Sequence, residues 1–525
     1  MLWISGIVVG VLLVAGIGLY FAFNAAIRQD PFLAMYDENC ALCHGEQMEG
    51  GTQGPPLVGA PLKNGESVAE LTRSISDGLL ASGMPGWSTT MPESHIRSLA
   101  ILIAERRVDR TFTDFKMEKE LVVPTEVFDT ELASFRLETV AGDIHPYPFS
   151  IAPLADSRIL VSEKTLGLSL IETDGTRSAH ITGTPARSDL GFNMLGLNYG
   201  IGWHLDVAPH PDYASNGWIY LHHTHLCEDC GNGDDSVIPI TMNRVVRGRI
   251  EAGQWTDEEV VWEVAYHLYS SMPDIGTGGR IAFDPAGYLF LSVGMKGGYF
   301  EGIQDLSTPY GKIHRVHDDG SIPEDNPFVA TPGVFASTWT YGHRSPQGLE
   351  FDTSTGKLWG TEMGPRGGDE VNLLLPGRNY GWPLYSKGVD YDGTPVEYWK
   401  DLNIEFDLED IEQPVVDLTP SPAVSSFVIY AGDAYPEWQG DFIVGSLKAT
   451  ELYRFVIEDD RLVHAEILIR DLARIRDVET GPGGLIYLLL EHEAGSQIVR
   501  LVPERDGEQM TDLAEESHGM APDHG

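Results

Sequence analysis

Residues 40–44 read Cys-Ala-Leu-Cys-His, a spacing that is typical of covalent attachment of a c-type haem. Cys40 and Cys43 would form thioether bonds to the haem, and His44 would supply one axial nitrogen to the iron. A zinc or redox motif is the competing interpretation. Helix signals on both sides of the motif and a methionine loop farther along the chain favour haem.

The iron needs a second axial ligand from another part of the chain. Met84 is the candidate, because it lies in a loop whose proline and glycine residues can direct a thioether at the iron. Met48 and Met91 are the alternatives.

Residues 30–108 resemble a small monohaem cytochrome c. They contain a haem-binding helix, a Gln-Gly-Pro-Pro loop at 53–56 and a closing helix. In the closing helix Ile96, Leu99 and Ile103 repeat with the spacing of one apolar helix face. The resemblance implies an all-α cytochrome c domain with haem c as its cofactor.

The first 28 residues read as a membrane segment. Residues 2–27 carry no charged side chain and are long enough to span a bilayer. We predict an uncleaved transmembrane anchor at 1–28, in preference to a cleaved signal peptide or a buried helix, because no Lys or Arg precedes the apolar run. Thioether attachment of haem implies the periplasmic side, so we expect a protein on the periplasmic face of a bacterial inner membrane.

The chain is strongly acidic, with 78 acidic against 35 basic residues and a formal net charge of −43. This charge argues against binding to nucleic acid and against docking on anionic lipid. Solubility explains the charge on its own, and steering of a basic redox partner is the alternative.

Two further cysteines follow a run of histidines. Cys227 and Cys230 come directly after His222, His223 and His225 in the sequence. A metal site is chemically feasible. An oxidising compartment favours a short-loop disulfide between the two cysteines instead.

The body of the chain repeats a strand-turn-strand unit in which an apolar run, an Asp or His with Pro or Gly, and a second apolar run follow one another. The six units begin near residues 149, 205, 281, 349, 426 and 478. A period of this length fits one four-stranded blade for each unit, which a β-sandwich would not explain. We therefore predict an all-β six-bladed propeller over 125–503, preceded by a linker at 109–124 and followed by an acidic, disordered tail at 504–525.

Five strings in this region resemble motifs of the glucose/sorbosone dehydrogenase family. They lie at 341–349, 364–370, 379–383, 446–448 and 474–478. The family consists of six-bladed propellers that hold pyrroloquinoline quinone (PQQ) and calcium at the mouth of the central channel. The resemblance therefore implies PQQ and calcium as cofactors, with a sugar or another alcohol as the substrate.

PQQ carries three carboxylates, so its site needs several fixed cations, and planar guanidinium groups suit them well. The positions that correspond to the family's PQQ ligands are Arg344, Lys448, Arg474 and Arg476. A salt bridge between blades is the alternative for each arginine alone.

Calcium prefers hard oxygen donors. The family's calcium ligands correspond to the main-chain oxygens of Gly364 and Pro365. Calcium would act as a Lewis acid on the quinone carbonyl that accepts hydride.

The chain departs from the family where the catalytic base is expected. Gly276 occupies the position of the histidine that removes the hydroxyl proton of the sugar. In addition, Met295 stands where the family usually has aspartate, Met363 where it has histidine, and Ser345 where it has asparagine.

Without a general base, hydride removal would slow by roughly 100- to 10,000-fold. Asp274 and His204 are the candidate replacements for the missing histidine. For both residues a purely structural role, as a turn aspartate and a packed histidine, is the alternative.

The sequence supports two functions. The first is a membrane-anchored quinohaemoprotein dehydrogenase, which oxidises a sugar or another alcohol at the propeller and passes electrons through the haem to a respiratory acceptor such as a cytochrome or oxidase. The second is a non-catalytic propeller that binds a ligand or partner and is tethered to an electron-transfer cytochrome. The cation set favours the first function, and Gly276 favours the second.

Overall fold

The computed structural model describes residues 30–112, 114–194, 197–227, 239–296 and 300–504. The anchor predicted at 1–28 and the tail beyond residue 504 lie outside these ranges. Within the described part of the chain, no helix is both long and apolar enough to cross a membrane.

The predicted all-α cytochrome c domain contains four α-helices, which we label α1 (Pro31–Asn39), α2 (Ala41–His44), α3 (Val68–Asp77) and α4 (Glu93–Arg107). The first begins where the Asp30 side chain accepts a hydrogen bond from the backbone N–H of Phe32 at 3.0 Å. A 3-10 turn at Leu80–Ser82 precedes the methionine loop.

Helix α3 begins with a capping box. The Ser67 hydroxyl accepts from the backbone N–H of Glu70 at 3.3 Å, and the Glu70 carboxylate accepts from the backbone N–H of Ser67 at 3.0 Å. This local signal fixes the start of the helix that packs against α4.

Helix α4 is buried on more than the single face that its spacing predicts. Ile96, Leu99 and Ile103 are buried as expected, and Ile101 on the opposite side is fully buried as well. The physical reason is that α4 lies between the rest of the cytochrome domain and the propeller. Val389 of the propeller shares its apolar cluster.

The predicted six-bladed propeller is confirmed. Six sheets are arranged around a channel, and each of the six sequence repeats supplies the first two strands of one blade. The innermost strands contact one another in a closed ring, and they are Pro148–Pro153, His204–Pro209, Gly278–Phe283, Pro346–Asp352, Val424–Ile429 and Arg474–Thr480.

The second strands run antiparallel to the innermost ones. In blade order they are Ile159–Glu163, Ile219–Cys227, Tyr288–Val293, Lys357–Glu362, Phe442–Ser446 and Ile486–Glu491. The third strands are Gly167–Ile171, Ile240–Glu251, Lys312–His317, Glu370–Leu373, Leu452–Glu458 and Ser496–Pro503.

The outer edges of the blades differ. Blade 1 ends at its third strand, and the outer strands of blades 2 to 5 are Gln254–Trp262, Thr338–Tyr341, Val416–Asp417 and Arg461–Ile469. Blade 6 closes the ring, because Ser134–Ile144 from the start of the propeller pairs with its third strand and carries Phe128–Asp129 at the edge. Joining the two ends of the chain in one sheet protects the edges that an open arrangement would expose.

Short elements lie between the strands, both within blades and between them. A hairpin (Gly191–Met194 and Leu197–Gly200) precedes blade 2. The remaining short helices and 3-10 turns are Tyr213–Asn216, Tyr266–Leu268, Glu301–Gln304, Trp399–Leu402, Leu408–Asp410, Pro436–Trp438 and Pro482–Gly484.

Candidate haem site and active-site cavity

The haem motif lies where α1 ends and α2 begins. Cys40 and Cys43 are both unpaired thiols and half-buried, and burial raises the pKa of Cys40 to about 11. Nδ1 of the buried His44 lies 2.8 Å from the carbonyl oxygen of Pro55. A proton on Nδ1 would donate to that carbonyl, fix the ring orientation and leave Nε2 for iron.

The Gln-Gly-Pro-Pro loop therefore positions the histidine. A Cβ atom at Gly54 would lie 3.0 Å from the His44 ring, so only glycine fits there without displacing it. These residues fit haem c, with Cys40, Cys43 and His44 as its attachment and axial groups.

The three methionines differ in exposure. Met48 is buried in the cytochrome core, whereas Met84 and Met91 are half-buried beside it. Residue 84 pairs with Leu79 through two backbone hydrogen bonds, which close the predicted loop. Met84 remains the predicted axial ligand.

A cavity of about 760 Å³ lies at the channel mouth. The propeller forms most of the cavity wall. The cytochrome and the linker complete it with Pro31, Glu105, Phe112, Phe115 and Met117. The cytochrome is thus docked over the end of the propeller where the resemblance places the cofactors.

All four predicted PQQ ligands line this cavity, which supports their assignment as one set. They are Arg344, Lys448, Arg474 and Arg476. Lys164, which the sequence analysis missed, lines the cavity as well.

Arg474 and Arg476 share a single carboxylate. Their Nε atoms lie 2.9 and 2.6 Å from the two oxygens of Glu491, and all three side chains are buried. Burial alone would raise the pKa of Glu491, but the charges of Arg476, Arg474 and Lys164 outweigh it and hold the carboxyl ionised. One negative charge thus faces several positive ones.

Lys164, Arg344 and Lys448 form no ion pair with a carboxylate of the described residues. The Lys164 ammonium lies 4.9 Å from the centre of the Trp203 ring, and Lys448 Nζ is 3.4 Å from the carbonyl oxygen of Phe112. Asp369 and Asp392 also line the cavity, but neither forms an ion pair with these three cations, which leaves them available to a multivalent anion.

Gly364 and Pro365 also line the cavity, next to Arg344. Arg344 Nη1 donates to the Gly364 oxygen at 2.8 Å, and the Pro365 oxygen accepts from the backbone N–H of Gly368 at 3.1 Å. A calcium ion on these two carbonyls would have to share the Gly364 oxygen with the guanidinium of Arg344.

Gly276, the residue predicted to stand at the position of the family's base, lies where a larger side chain does not fit. Gly276 has a positive φ of 66°, and a Cβ atom there would lie 3.3 Å from both Cγ and Cε of Met295. A histidine would be strained and would have to displace Met295. Both residues line the cavity.

Asp274 lines the cavity, but its carboxylate already has an ion-pair partner and three hydrogen-bond donors. Its carboxylate pairs with Lys296 Nζ at 2.8 Å and accepts from Gly202 N–H at 2.7 Å, with neither side chain of the ion pair exposed. Two threonine hydroxyls, of Thr224 and Thr241, also donate to it. To act as a base, Asp274 would have to take a proton while paired with a buried ammonium.

We expect Asp274→Asn to lower the free energy of unfolding by about 3–5 kcal/mol, because it leaves the buried Lys296 without a partner. Adding Lys296→Met removes that unpaired charge and should restore most of the stability. Thermal unfolding of both variants measures the effect. Substrate-dependent haem reduction in the double variant then tests whether Asp274 is the base. If it is, the double variant should remain inactive although its stability is restored.

The other candidate base, His204, is fully buried and is not among the residues that line the cavity. Its Nε2 lies 3.0 Å from the carbonyl oxygen of Pro185, and burial lowers its pKa to about 4. His204 is therefore packed in the protein interior, which is the structural role that was the alternative to a catalytic one.

The chain matches the family model described as "Glucose / Sorbosone dehydrogenase" over residues 145–500. It belongs to that family. Residues 30–103 match a second model, "Cytochrome C oxidase, cbb3-type, subunit III". The chain therefore joins a glucose/sorbosone dehydrogenase propeller to a cytochrome c domain.

Individual relatives agree with both assignments. "Aldose sugar dehydrogenase YliI" of Escherichia coli is 35% identical over 312 residues, which cover 58% of this chain and 78% of the relative. The crystal structure of the soluble aldose sugar dehydrogenase from Escherichia coli in the apo form has a TM-score of 0.59 at 31% identity, covering 70% of this chain and all of that one. The cbb3-type oxidase subunit CcoP of Azospirillum brasilense is 39% identical over 75 residues, which are 13% of this chain and 25% of that subunit.

Within this family propeller, the cavity residues follow a positional rule. They lie where the innermost strands begin and the second strands end. Lys164 follows the second strand of blade 1, Met295 that of blade 3 and Lys448 that of blade 5, and Glu491 ends the second strand of blade 6. This rule is the signal that could have identified Lys164 and Glu491.

The charge of Lys164 should make anion binding depend on pH. Burial, with the nearby charge of Arg476, lowers the pKa of Lys164 to about 7, and Arg474 and Glu491 act on it in opposite senses. A bound anion favours the protonated form, so binding above pH 7 must include uptake of a proton. We therefore expect affinity for PQQ to fall as pH rises from 6 to 9.

Titration of the protein with PQQ at each pH, followed by absorbance, measures this dependence. Lys164→Met should bind more weakly at pH 6 and show a flatter pH profile, whereas Lys63→Met on the cytochrome surface should behave as wild type. An unchanged slope in Lys164→Met would contradict the assignment.

The cluster of histidines and cysteines is not a metal site among the described residues. His222 Nε2 pairs with Asn243 at 2.9 Å, and Nδ1 of His225 lies 2.9 Å from the Tyr269 hydroxyl oxygen. Cys227 is disulfide-bonded, and Cys230 lies outside the described residues. The only group of three metal-binding side chains found in the described chain is a different one, Glu131, His464 and Glu466.

Proposed function

We propose that the protein is a quinohaemoprotein dehydrogenase, which oxidises a sugar or another alcohol in the propeller cavity and passes the electrons through the cytochrome domain. The observation that carries this proposal is a set of three cations without an ion-pair partner among the described residues, Lys164, Arg344 and Lys448, inside a cavity that the cytochrome covers. A structural core would neutralise such charges, because an unpaired buried cation is destabilising.

The charge pattern fits PQQ. Arg474 and Arg476 offer guanidinium groups, and Lys164, Arg344 and Lys448 add three cations without a carboxylate partner. Three carboxylates would complement this set. When bound, PQQ supplies an ortho-quinone that accepts hydride, and the chain's own residues hold and orient it. Calcium on Gly364 and Pro365 is part of the proposal, with Arg344 sharing the Gly364 oxygen.

The docked cytochrome supports the electron route. A reduced quinone cofactor must release its electrons singly, and a haem domain on the same chain has a high effective concentration. Glu105 of helix α4 belongs to the cytochrome and to the cavity wall at once. The haem domain is therefore in direct contact with the site where the electrons would arise.

Anchoring in the membrane and a respiratory acceptor complete the proposal. The uncharged run at 2–27 supports a membrane anchor, with the haem and propeller on the periplasmic side. Similarity of the cytochrome domain to oxidase subunits supports a cytochrome or an oxidase as the acceptor.

The test follows haem absorbance of the purified, oxidised protein after addition of PQQ and calcium, as aldoses and simple alcohols are added. Haem reduction that requires both PQQ and a substrate would support the dehydrogenase. Matched samples without PQQ, and with PQQ but without calcium, serve as controls. No reduction together with no PQQ binding would reject the proposal and leave the non-catalytic, ligand-binding propeller.

A further inference from the structure

A cluster of three metal-binding side chains lies at the outer edge of the propeller, and none of them lines the cavity. Glu131 belongs to the segment between the strands Phe128–Asp129 and Ser134–Ile144, which closes the propeller ring. His464 and Glu466 lie two positions apart on the outer strand of blade 5, so their side chains point to the same face of the sheet. One candidate ligand atom from each residue lies within 4.8 Å of the other two. The cluster therefore joins blade 5 to the closing segment.

The imidazole of His464 carries a nitrogen without a partner. Its Nε2 atom is shielded from solvent and forms no hydrogen bond within the described structure, although the side chain as a whole is 42% exposed. Glu131 Oε2 lies 2.7 Å away, yet the two atoms lack the alignment of a hydrogen bond. An unsatisfied nitrogen is destabilising, whereas a metal ion bound to both atoms would satisfy each of them.

The cluster has an excess of negative charge. Arg454 is buried beside it and forms ion pairs with Asp441 at 2.7 Å and with Glu466 at 3.0 Å. The distance from Arg454 to Glu131 Oε2 is 3.7 Å, so Glu131 is the carboxylate that this guanidinium balances least. Three carboxylates against one guanidinium leave two negative charges when His464 is neutral. A divalent cation would balance them.

Glu466 can bind a metal in addition to its present contacts. Its Oε1 atom accepts from the backbone N–H of Glu131 at 2.7 Å, and its Oε2 atom pairs with Arg454. Each carboxylate oxygen has two lone pairs, so one oxygen can bind a metal ion while it keeps its hydrogen bond. One imidazole with two carboxylates suits zinc, with a fourth position left for water, whereas calcium and magnesium prefer oxygen ligands alone.

We propose that Glu131, His464 and Glu466 bind a zinc ion that links the closing segment of the propeller to blade 5. The three side chains supply one nitrogen and two oxygen atoms, and water completes a tetrahedral site. Glu131 and Glu466 are 335 positions apart in the chain, so only the folded protein brings the ligands together. Zinc should therefore stabilise the closed ring. The proposal does not depend on PQQ or on a dehydrogenase activity.

The test uses full-length, haem-loaded protein that is treated with a chelator and then saturated with calcium. Haem occupies the cysteines and the histidine of its motif, and calcium fills sites made of oxygen alone. Calorimetric titration with zinc should show one equivalent that is lost, or weakened at least about tenfold, in His464→Gln and in Glu131→Gln. Zinc should raise the melting temperature of the wild type but not of these variants. Without zinc both variants should melt close to the wild type, because the two side chains are 42% and 56% exposed.

His267→Gln is the matched control, because His267 is an exposed histidine in the turn Tyr266–Leu268 and does not belong to the cluster. It should keep both the zinc equivalent and the rise in melting temperature. X-ray absorption at the zinc edge should show one imidazole nitrogen and oxygen neighbours at about 2.0–2.2 Å.

Two results would overturn the zinc site. Unchanged zinc binding in His464→Gln would mean that zinc binds only to adventitious sites on an acidic surface. Absence of the tight equivalent from the wild type would mean that Arg454 excludes the ion from the cluster.

Discussion

Replacing Arg366 by glutamine is expected to release the cytochrome from the propeller. The guanidinium binds Asp30 Oδ2 at 2.9 Å and Glu105 Oε1 at 3.1 Å, and it lies 3.8 Å from the centre of the Phe32 ring. All three charged side chains are at most 7% exposed. Glutamine would leave two carboxylates buried without a cation, at a cost of about 3–5 kcal/mol.

Loss of the Arg366 ion pairs should separate the cytochrome from the propeller rather than unfold either domain, because Arg366 contributes to the contact between them. Limited proteolysis of the linker at 109–124 should become faster, and small-angle scattering should show a more extended particle. Substrate-dependent haem reduction should also become slower when the domains separate. Arg500→Gln is the control, since its pair with Glu138 is 33% and 51% exposed and should contribute at most about 1 kcal/mol. Compact, protease-resistant Arg366→Gln would contradict this role.

The six blades could be predicted from the sequence because the residues that define each strand and turn are close together in the chain. Each innermost strand is an apolar run that ends in a turn signal, as at Asp284, and the next run pairs with it. The repeat makes the pattern visible six times. The cytochrome helices were readable for the same reason, through the haem motif and the apolar face of α4.

The docking of the cytochrome on the propeller could not be predicted from the sequence, because its contacts join residues that are far apart in the chain. Arg366 and Asp30 are 336 positions apart, and nothing near either residue marks the other as its partner. Even the amphipathic pattern of α4 predicted one buried face. The opposite face, with Ile101, is buried by a domain whose position the helix sequence does not encode.

The candidate site was readable only in part. The four family cations do converge on one cavity, but Lys164 and Glu491 were missed because a single charged residue after a strand has no distinctive local pattern. The prediction of Asp274 and His204 as bases depends only on residue type and proximity in sequence. What decides their roles is the partner each one has, Lys296 for Asp274 and the Pro185 carbonyl for His204.

Glu491→Gln is expected to destabilise the empty protein strongly and to increase the stabilisation that PQQ confers. In the wild type this carboxylate is the shared counter-charge of Arg474 and Arg476. Its loss leaves two buried guanidinium groups unpaired and should lower the free energy of unfolding by about 3–5 kcal/mol. Carboxylates of a bound ligand could then replace the missing charge, so the melting temperature should rise more with PQQ in the variant than in the wild type.

Differential scanning calorimetry at several PQQ concentrations separates the two effects. Glu138→Gln, which removes an exposed partner of Arg500, should change neither the stability of the empty protein nor its response to PQQ. If PQQ stabilised Glu491→Gln less than the wild type, Glu491 would be a group that the ligand needs rather than one with which it competes. Glu491 would then hold Arg474 and Arg476 in place for the ligand, and the expected competition between Glu491 and the ligand carboxylates would be wrong.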